Sequence, residues 1–301
     1  MAEELDKLNR LFTSKNVEDV IKFYDHFDTA EQLIEWMKNR PSAPMKIYEV
    51  EGEKDIVVVI PTANHEGELA KNCANNIFKG QQIVFIESNG PFFNYARSCN
   101  FGLKYALKYN PKCIILSNDD MEKVDGISKL RSGLSGLDYN ENDIIFASGN
   151  SRGRDINSVL VKYRAFFKIY IKIRGGILEK YNLIAGKFNS DFTVIGKKRF
   201  NRFSSKLFYK KIKEFYGIFD FVIFSSDYIK SKSQVFDPTF INGGEDHFIS
   251  YTASLTNARY KLIDFDIKSI GSQSIGKGDL RIMRNLAGLI YFNYIMNLKY
   301  L

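Results

Sequence analysis

Four short apolar runs, separated by stretches of helical periodicity, constrain the fold of this chain more than any other feature. They are "DIVVVIPT" (55–62), "QQIVFIES" (81–88), "KCIILSND" (112–119) and "DIIFASG" (143–149). A continuous β-branched run without polar alternation marks a strand buried on both faces. Helical stretches at about 66–78, 94–109 and 126–134 lie between the runs, with short connections. This β-α-β-α-β-α-β rhythm predicts an α/β fold, a mostly parallel central sheet flanked by helices. Ligands of such sheets bind outside the carboxyl ends of the strands. Pro61-Thr62, Glu87-Ser88-Asn89 and Ser117-Asn118-Asp119-Asp120 should therefore meet in one crevice.

The third run ends abruptly in two adjacent carboxylates. Asn-Asp pairs are common at strand ends, because both side chains bond local backbone and tolerate turn geometry. Adjacent carboxylates also repel unless a cation lies between them, and oxygen ligands suit Mg²⁺ or Mn²⁺. Both readings stand on these residues alone. A second acidic pair occurs in "INGGEDHF", where Gly243-Gly244 allows a tight turn before Glu245 and Asp246. Acids at a helix start complement the helix dipole. A carboxylate there can equally serve as a general base for an acceptor hydroxyl.

Four regions follow from the pattern. Residues 1–50 read as an N-terminal helical extension: "NVEDVIKFYDHF" and "TAEQLIEWMKNR" have helical spacing, Thr29 and Gln32 form a capping box, and "PSAP" ends the region. Residues 51–150 carry the four strands. Residues 151–218 form a basic, aromatic insertion, and 219–301 return to regular order. There "FDFVIFSSDYI" and "YKLIDFDIKSI" read as strands, the Glu-Asp pair opens a helix, and a last helix starts at about 279.

Charge is concentrated in the insertion. The chain carries +8 overall, whereas Arg152 to Glu214 holds 17 Lys and Arg against 4 Asp and Glu, a local +13. The block is either a solvated basic face or a surface for an anionic partner. Its charges alternate with Phe166, Phe167, Tyr170, Phe200, Phe203, Phe208 and Tyr209. We expect it to fold as helices with aromatics partly exposed. Cys73, Cys99 and Cys113 lack metal spacing and read as reduced, partly buried thiols of a cytoplasmic protein. The acidic start is no signal peptide, and no apolar run is long enough to span a membrane.

Two nucleotide motifs fail. "GSQSIGKG" (271–278) has a P-loop skeleton, but Gly278 stands where a Ser or Thr must hold Mg²⁺, so it reads as a glycine turn. No G-x-G-x-x-G follows the first strand. His26, His65 and His247 are too scattered for a zinc site, and only His247 adjoins a suspected one.

Taken together, "VVVIPTANHEGEL", "IVFIESNG…ARSCNFGL", "IILSNDD", "FVIFSSDYI…FDPTFINGGEDHF" and "RIMRNLAGLI" resemble the family 2 glycosyltransferases of the GT-A, nucleotide-diphospho-sugar transferase fold. The resemblance covers about 56–150 and 219–290 and leaves out 1–50 and 152–217. It implies inverting transfer of a sugar from a nucleotide-sugar donor to a glycan, lipid-linked or protein-linked acceptor. It implies that Pro61, Thr62 and Glu66 line the nucleotide site, that Glu87 reads base or ribose, and that Asn100 lies in a bordering loop. Its metal motif is Ser117-Asn118-Asp119 or Asn118-Asp119-Asp120; Asp119 belongs to both, so Asp119 and Asp120 are the expected ligands of a divalent Mn or Mg cation, with Asn118 beside the donor. Asp246 would be the base and Glu245 its helper. Ser269 and Phe248 stand where many members have a histidine and a further acid.

The rival expectation is a catalytically degenerate binding module whose basic segment holds nucleic acid or another anionic surface. Lys-rich aromatic helices suit the plane of an anionic membrane. The segment's Phe and Tyr equally suit stacking on bases. The resemblance favours a membrane or a lipid-phosphate acceptor over nucleic acid, because sugar transfer in that family often builds on such carriers. With it goes a cytoplasmic protein peripheral on the inner face of the cell membrane.

Overall fold

The computed structural model describes residues 2–123, 125–147, 156–218, 220–270 and 278–300. The glycine turn at 271–277, the end of the fourth apolar run beyond Ala147 and the first basic residues of the insertion lie outside them.

Three helices open the chain: α1 (Ala2–Thr13), α2 (Val17–Asp25) and α3 (Ala30–Asn39). Thr29 and Gln32 form the expected capping box on α3. The helical reading to residue 50 is corrected at its end, where β1 (Lys46–Val50) is a strand. "KIYEV", released from the helix by Pro41 and Pro44, pairs antiparallel with a later strand. Then come β2 (Glu53–Thr62), α4 (Glu68–Asn72, continued by a π turn to Ile77), β3 (Gln81–Glu87) and α5 (Tyr95–Ala106). They are followed by β4 (Cys113–Ser117), β5 (Met121–Lys123), α6 (Ile127–Ser135) and β6 (Asp143–Ala147).

The insertion is not all helical. Its elements are β7 (Asn157–Tyr163), α7 (Ala165–Arg174), α8 (Ile177–Lys187), β8 (Phe192–Gly196), α9 (Lys197–Phe200), α10 (Phe203–Phe208) and β9 (Tyr209–Tyr216). The strands make an antiparallel sheet in the order β8-β7-β9. "NSVLVKY", "FTVIG" and "YKKIKEFY" are rich in β-branched and aromatic residues, and the three lysines of the last and the Lys-rich helices between them mask that strand pattern.

The remainder is β10 (Phe221–Ser225), α11 (Ser226–Lys230), α12 (Glu245–Ala253), β11 (Arg259–Ile263), β12 (Ile267–Ser269) and α13 (Asp279–Lys299). "FDFVIFSSDYI" is thus a strand turning into a helix, capped by Ser225, whose Oγ accepts from Tyr228 N. "YKLIDFDIKSI" is two strands, the second pairing with β5 in a separate ribbon.

The main sheet runs β1-β3-β2-β4-β10-β6-β11. β3, β2, β4, β6 and β11 share one direction, and β1 and β10 are reversed. The protein is α/β with a mixed, mostly parallel sheet flanked by helices. Alternate residues of each strand serve opposite faces. Val58, Ile83, Ile115 and Ile223 pack under α4 and α6. Val57, Val84, Ile114 and Val222 pack under α5, α11 and α12. A further core joins the N-terminal helices to α13, to α8 and to one face of the small sheet. Within it Tyr24 donates its buried hydroxyl to Met283 O at 2.6 Å. All three cysteines are free and buried.

Candidate functional site

The carboxyl ends of β2, β3 and β4 open on one cleft of about 410 Å³, a size that suits a small-molecule ligand. Pro61 and Thr62 come from β2, Ser88 and Asn89 from the end of β3, and Asn118 and Asp119 from the end of β4. The opposite wall is Ile241 and Asn242 together with Leu280, Arg281, Arg284 and Asn285 of α13. The strand ends therefore meet in one cleft, but of the residues expected there Glu87, Ser117 and Asp120 are not in its wall.

Asp119 is 5 % exposed, and Thr62 Oγ1 donates to its Oδ2 at 2.7 Å. Burial lifts its carboxyl above the usual range. A carboxylate desolvated in this way gains from a nearby cation. Asn118 is held from two sides: Tyr95 donates its hydroxyl to Oδ1 at 2.8 Å, and Nδ2 donates to Asp220 Oδ1 at 3.1 Å. Asp120 is buried but lies outside the cleft wall; adjacency along the chain does not bring both carboxylates onto one surface. Among the described residues no group of three or more His, Cys, Asp and Glu side chains gathers that could hold a metal ion.

Glu87 also lies outside the wall. His65 donates its backbone N–H to Glu87 Oε2 at 3.0 Å, and its ring Nδ1 stands 2.6 Å from the same oxygen. The His65 ring in turn stacks on Tyr48, with centroids 3.4 Å apart. The imidazole holds the Glu87 carboxyl below its usual range. Glu66 is exposed and is not in the cleft wall. Asn100 is not in a loop but on α5. Its amide takes Val235 N and Phe236 N at 3.0 and 2.9 Å and donates to Phe236 O at 2.6 Å. It therefore positions the loop that leads to the Glu-Asp pair.

The same loop is fastened at three more points. Asn94, the N-cap of α5, donates to Pro238 O at 2.8 Å and Phe240 O at 3.1 Å. Asn242 accepts from Tyr95 N at 3.0 Å and donates to Phe93 O at 3.1 Å. Arg40, 5 % exposed, donates to the carbonyls of Met37, Thr239 and Phe240. Beyond them Gly244 adopts φ +94°, and a Cβ on Gly288 would stand 1.9 Å from Gly243 O. The Gly243-Gly244 turn and α13 are thus in backbone contact, and α12 starts from that turn.

Glu245 and Asp246 begin α12 and are not in the cleft wall. Glu245 is 7 % exposed. Burial, then the neighbouring Asp246 charge, pushes its carboxyl well upward, against the opposing pull of backbone N–H groups and Arg40. Asp246 is about a third exposed, and its Oδ1 accepts from His247 N at 2.8 Å.

Sequence reasoning missed Phe12, Arg40, Asn94, Tyr95, Asn242, Arg284 and the Tyr48–His65 stack. Asn94 alone had a local signal, as an N-cap type before a helical stretch. Arg284 donates to the carbonyls of Phe12, Thr13 and Ser14, the free C-terminal acceptors of α1, and so brings Phe12 to the cleft. No protein-family model matches the chain, and no curated protein matches it.

Proposed function

We propose that the chain is an inverting glycosyltransferase of GT-A architecture, taking a sugar from a nucleotide-diphospho-sugar to a hydroxyl acceptor. One observation carries the reading. The acidic end of β4 shares a cleft with the ends of β2 and β3 and with two arginines of α13. Such a cleft offers polar groups for a nucleoside and charge for a diphosphate.

In this reading Pro61, Thr62, Ser88 and Asn89 border the nucleoside, and Arg281 and Arg284 attract the diphosphate. A divalent cation, Mn²⁺ or Mg²⁺, held by Asp119 and the donor's own phosphate oxygens, would stabilise the nucleoside diphosphate as leaving group. Buried Asp119 fits that role; Asp120, outside the wall, does not contribute a ligand from this cleft. The acceptor oxygen attacks the anomeric carbon from the face opposite the leaving group. The new C–O bond forms as the bond to the phosphate oxygen breaks, with inversion. The hydroxyl proton goes to Asp246, the exposed member of the pair. Glu245 stays protonated beneath it and fixes the start of α12. The acceptor is a glycan, a lipid-linked sugar or a protein-linked one.

Release of nucleotide from a panel of nucleotide-sugars, with and without Mn²⁺, tests the reading. Turnover of one donor, lost in Asp119→Ala while the thermal midpoint holds, supports it. A panel without turnover or measurable donor binding leaves the rival module, a degenerate domain acting through its basic segment.

A further inference from the structure

The two faces of the small sheet are covered differently. Leu160, Phe192, Val194 and Phe215 point into the core beneath α13 and the N-terminal helices. Val159, Val161, Ile195 and Tyr209 form the other face, against which Phe167, Phe200 and Phe208 pack from α7, α9 and α10. These three helices are an outer layer.

On α7 Phe167, half-buried, packs on the sheet, and Ile171, one turn on, is buried. Phe166, Ile169, Tyr170 and Ile173 remain 65, 55, 41 and 81 % exposed. Their spacing of i, i+3, i+4 and i+7 makes them one stripe along the helix. On α10 Phe203 and Leu207, one turn apart, are 83 and 48 % exposed. The Phe208 ring lies 5.2 Å from Tyr170 and 6.2 Å from Phe167, which binds the two helices side by side. Six of the twelve exposed large apolar side chains among the described residues lie on α7 and α10. Exposed apolar residues of ordinary surfaces are scattered singly, and a cluster rimmed by polar groups marks an interaction face.

The rim has one sign. α7, α9 and α10 carry seven lysines and arginines and no acidic residue. Lys168 and Lys197 are neutralised by Asp191 and Glu214, at 2.8 and 2.6 Å. Lys172 and Lys206 are exposed on the two helices that carry the stripe.

We infer that α7 and α10 form a docking face for an anionic lipid bilayer. The apolar stripe enters the boundary between headgroups and acyl chains, and the basic rim lies at the lipid phosphates. A second copy of the chain fits less well, because a two-fold pairing of this face sets its cations against each other. Nucleic acid stacks on aromatic rings but has no use for the branched aliphatic members Ile169, Ile173 and Leu207. The inference rests on this face alone and stands whether or not the cleft transfers sugar.

Co-sedimentation of the full chain with vesicles decides it. The vesicles are phosphatidylcholine alone, or phosphatidylcholine mixed with phosphatidylglycerol. We expect binding to the mixed vesicles only, weakening as salt is raised. The triple variant Phe166→Ser, Ile173→Ser, Phe203→Ser should bind at least about tenfold more weakly. Lys172→Glu with Lys206→Glu should lose roughly tenfold or more. Thermal midpoints should match the parent chain, because none of these side chains is buried. Equal binding by the triple variant overturns the inference, as does failure to bind either vesicle. A dimer in solution that the triple variant dissociates, or tight binding to RNA in place of vesicles, overturns it too.

Discussion

The seven-stranded and three-stranded sheets differ in where they leave their unsatisfied chemistry. The large sheet is apolar on both faces, and helices cover both with side chains that bury completely. Its polar residues are therefore displaced to the strand ends, where Thr62, Asn118 and Asp119 meet in a cleft. The small sheet is also covered on both faces, but the helices of its outer cover leave many of their apolar side chains unburied. Those helices bury Ile171 and half-bury Phe167 on one side and expose a second apolar stripe on the other. The first arrangement suits a small polar ligand held by a few groups. The second suits an extended partner met over an area.

The comparison predicts opposite sensitivities, and the largest lies at the proposed base at the start of α12. Asp246→Asn keeps size and hydrogen bonding but cannot take a proton. Turnover should fall by about 10²- to 10⁴-fold with donor affinity retained. If donor binding collapses while turnover holds, Asp246 belongs to the donor site. Next comes the backbone contact between the Gly243-Gly244 turn and α13. Gly288→Ala places a methyl against Gly243 O, and overpacking of this kind costs about 1–3 kcal/mol. Chemical denaturation should show that loss, and donor turnover should fall with it.

A smaller effect is read through pH. The folded protein holds the Glu245 proton more tightly than the unfolded chain does, so the raised carboxyl makes stability fall as pH climbs above about 4.5. Glu245→Gln removes that slope. Its thermal midpoint should draw ahead of the parent chain between pH 5 and pH 8, on the order of one carboxylate titration. Parallel curves across that range would mean that Glu245 is not the buried proton carrier. The smallest effect is expected on the outer helices. Phe203→Ser should change stability by less than about 0.5 kcal/mol, since the ring is 83 % exposed. A loss of several times that amount would show the ring to be part of a core, and the contrast between the two sheets would fail.

Much of the large sheet was legible in the chain, because its signals are local. A continuous apolar run ends in a polar cluster, and one rule about strand ends then gathers the clusters. The small sheet was hidden because its strands are short apolar or mixed runs standing among Lys-rich helical stretches, and over five to eight residues such runs satisfy helix and strand patterns alike. The engagements of Asn100 and Glu87 were hidden for another reason. Asn100 spends its amide on Val235 and Phe236, 135 and 136 residues away, and Glu87 is engaged by His65, 22 residues away. No local pattern records which distant group claims a polar side chain. The far wall of the cleft was invisible on the same ground, since Arg284 reaches Phe12 across 272 residues.

That last contact has a consequence for the order in which the protein is made. The ends of β2, β3 and β4 leave the ribosome more than 150 residues before α13 does. Until α13 is synthesised, α1 lacks the guanidinium that ties down its last carbonyls, and the cleft that Phe12 and Asp119 line lacks the wall that α13 supplies. A nascent chain can thus pair its first strands while its cleft stands open on one side. A ligand that requires both walls can be taken up only by a chain whose translation has passed Arg284.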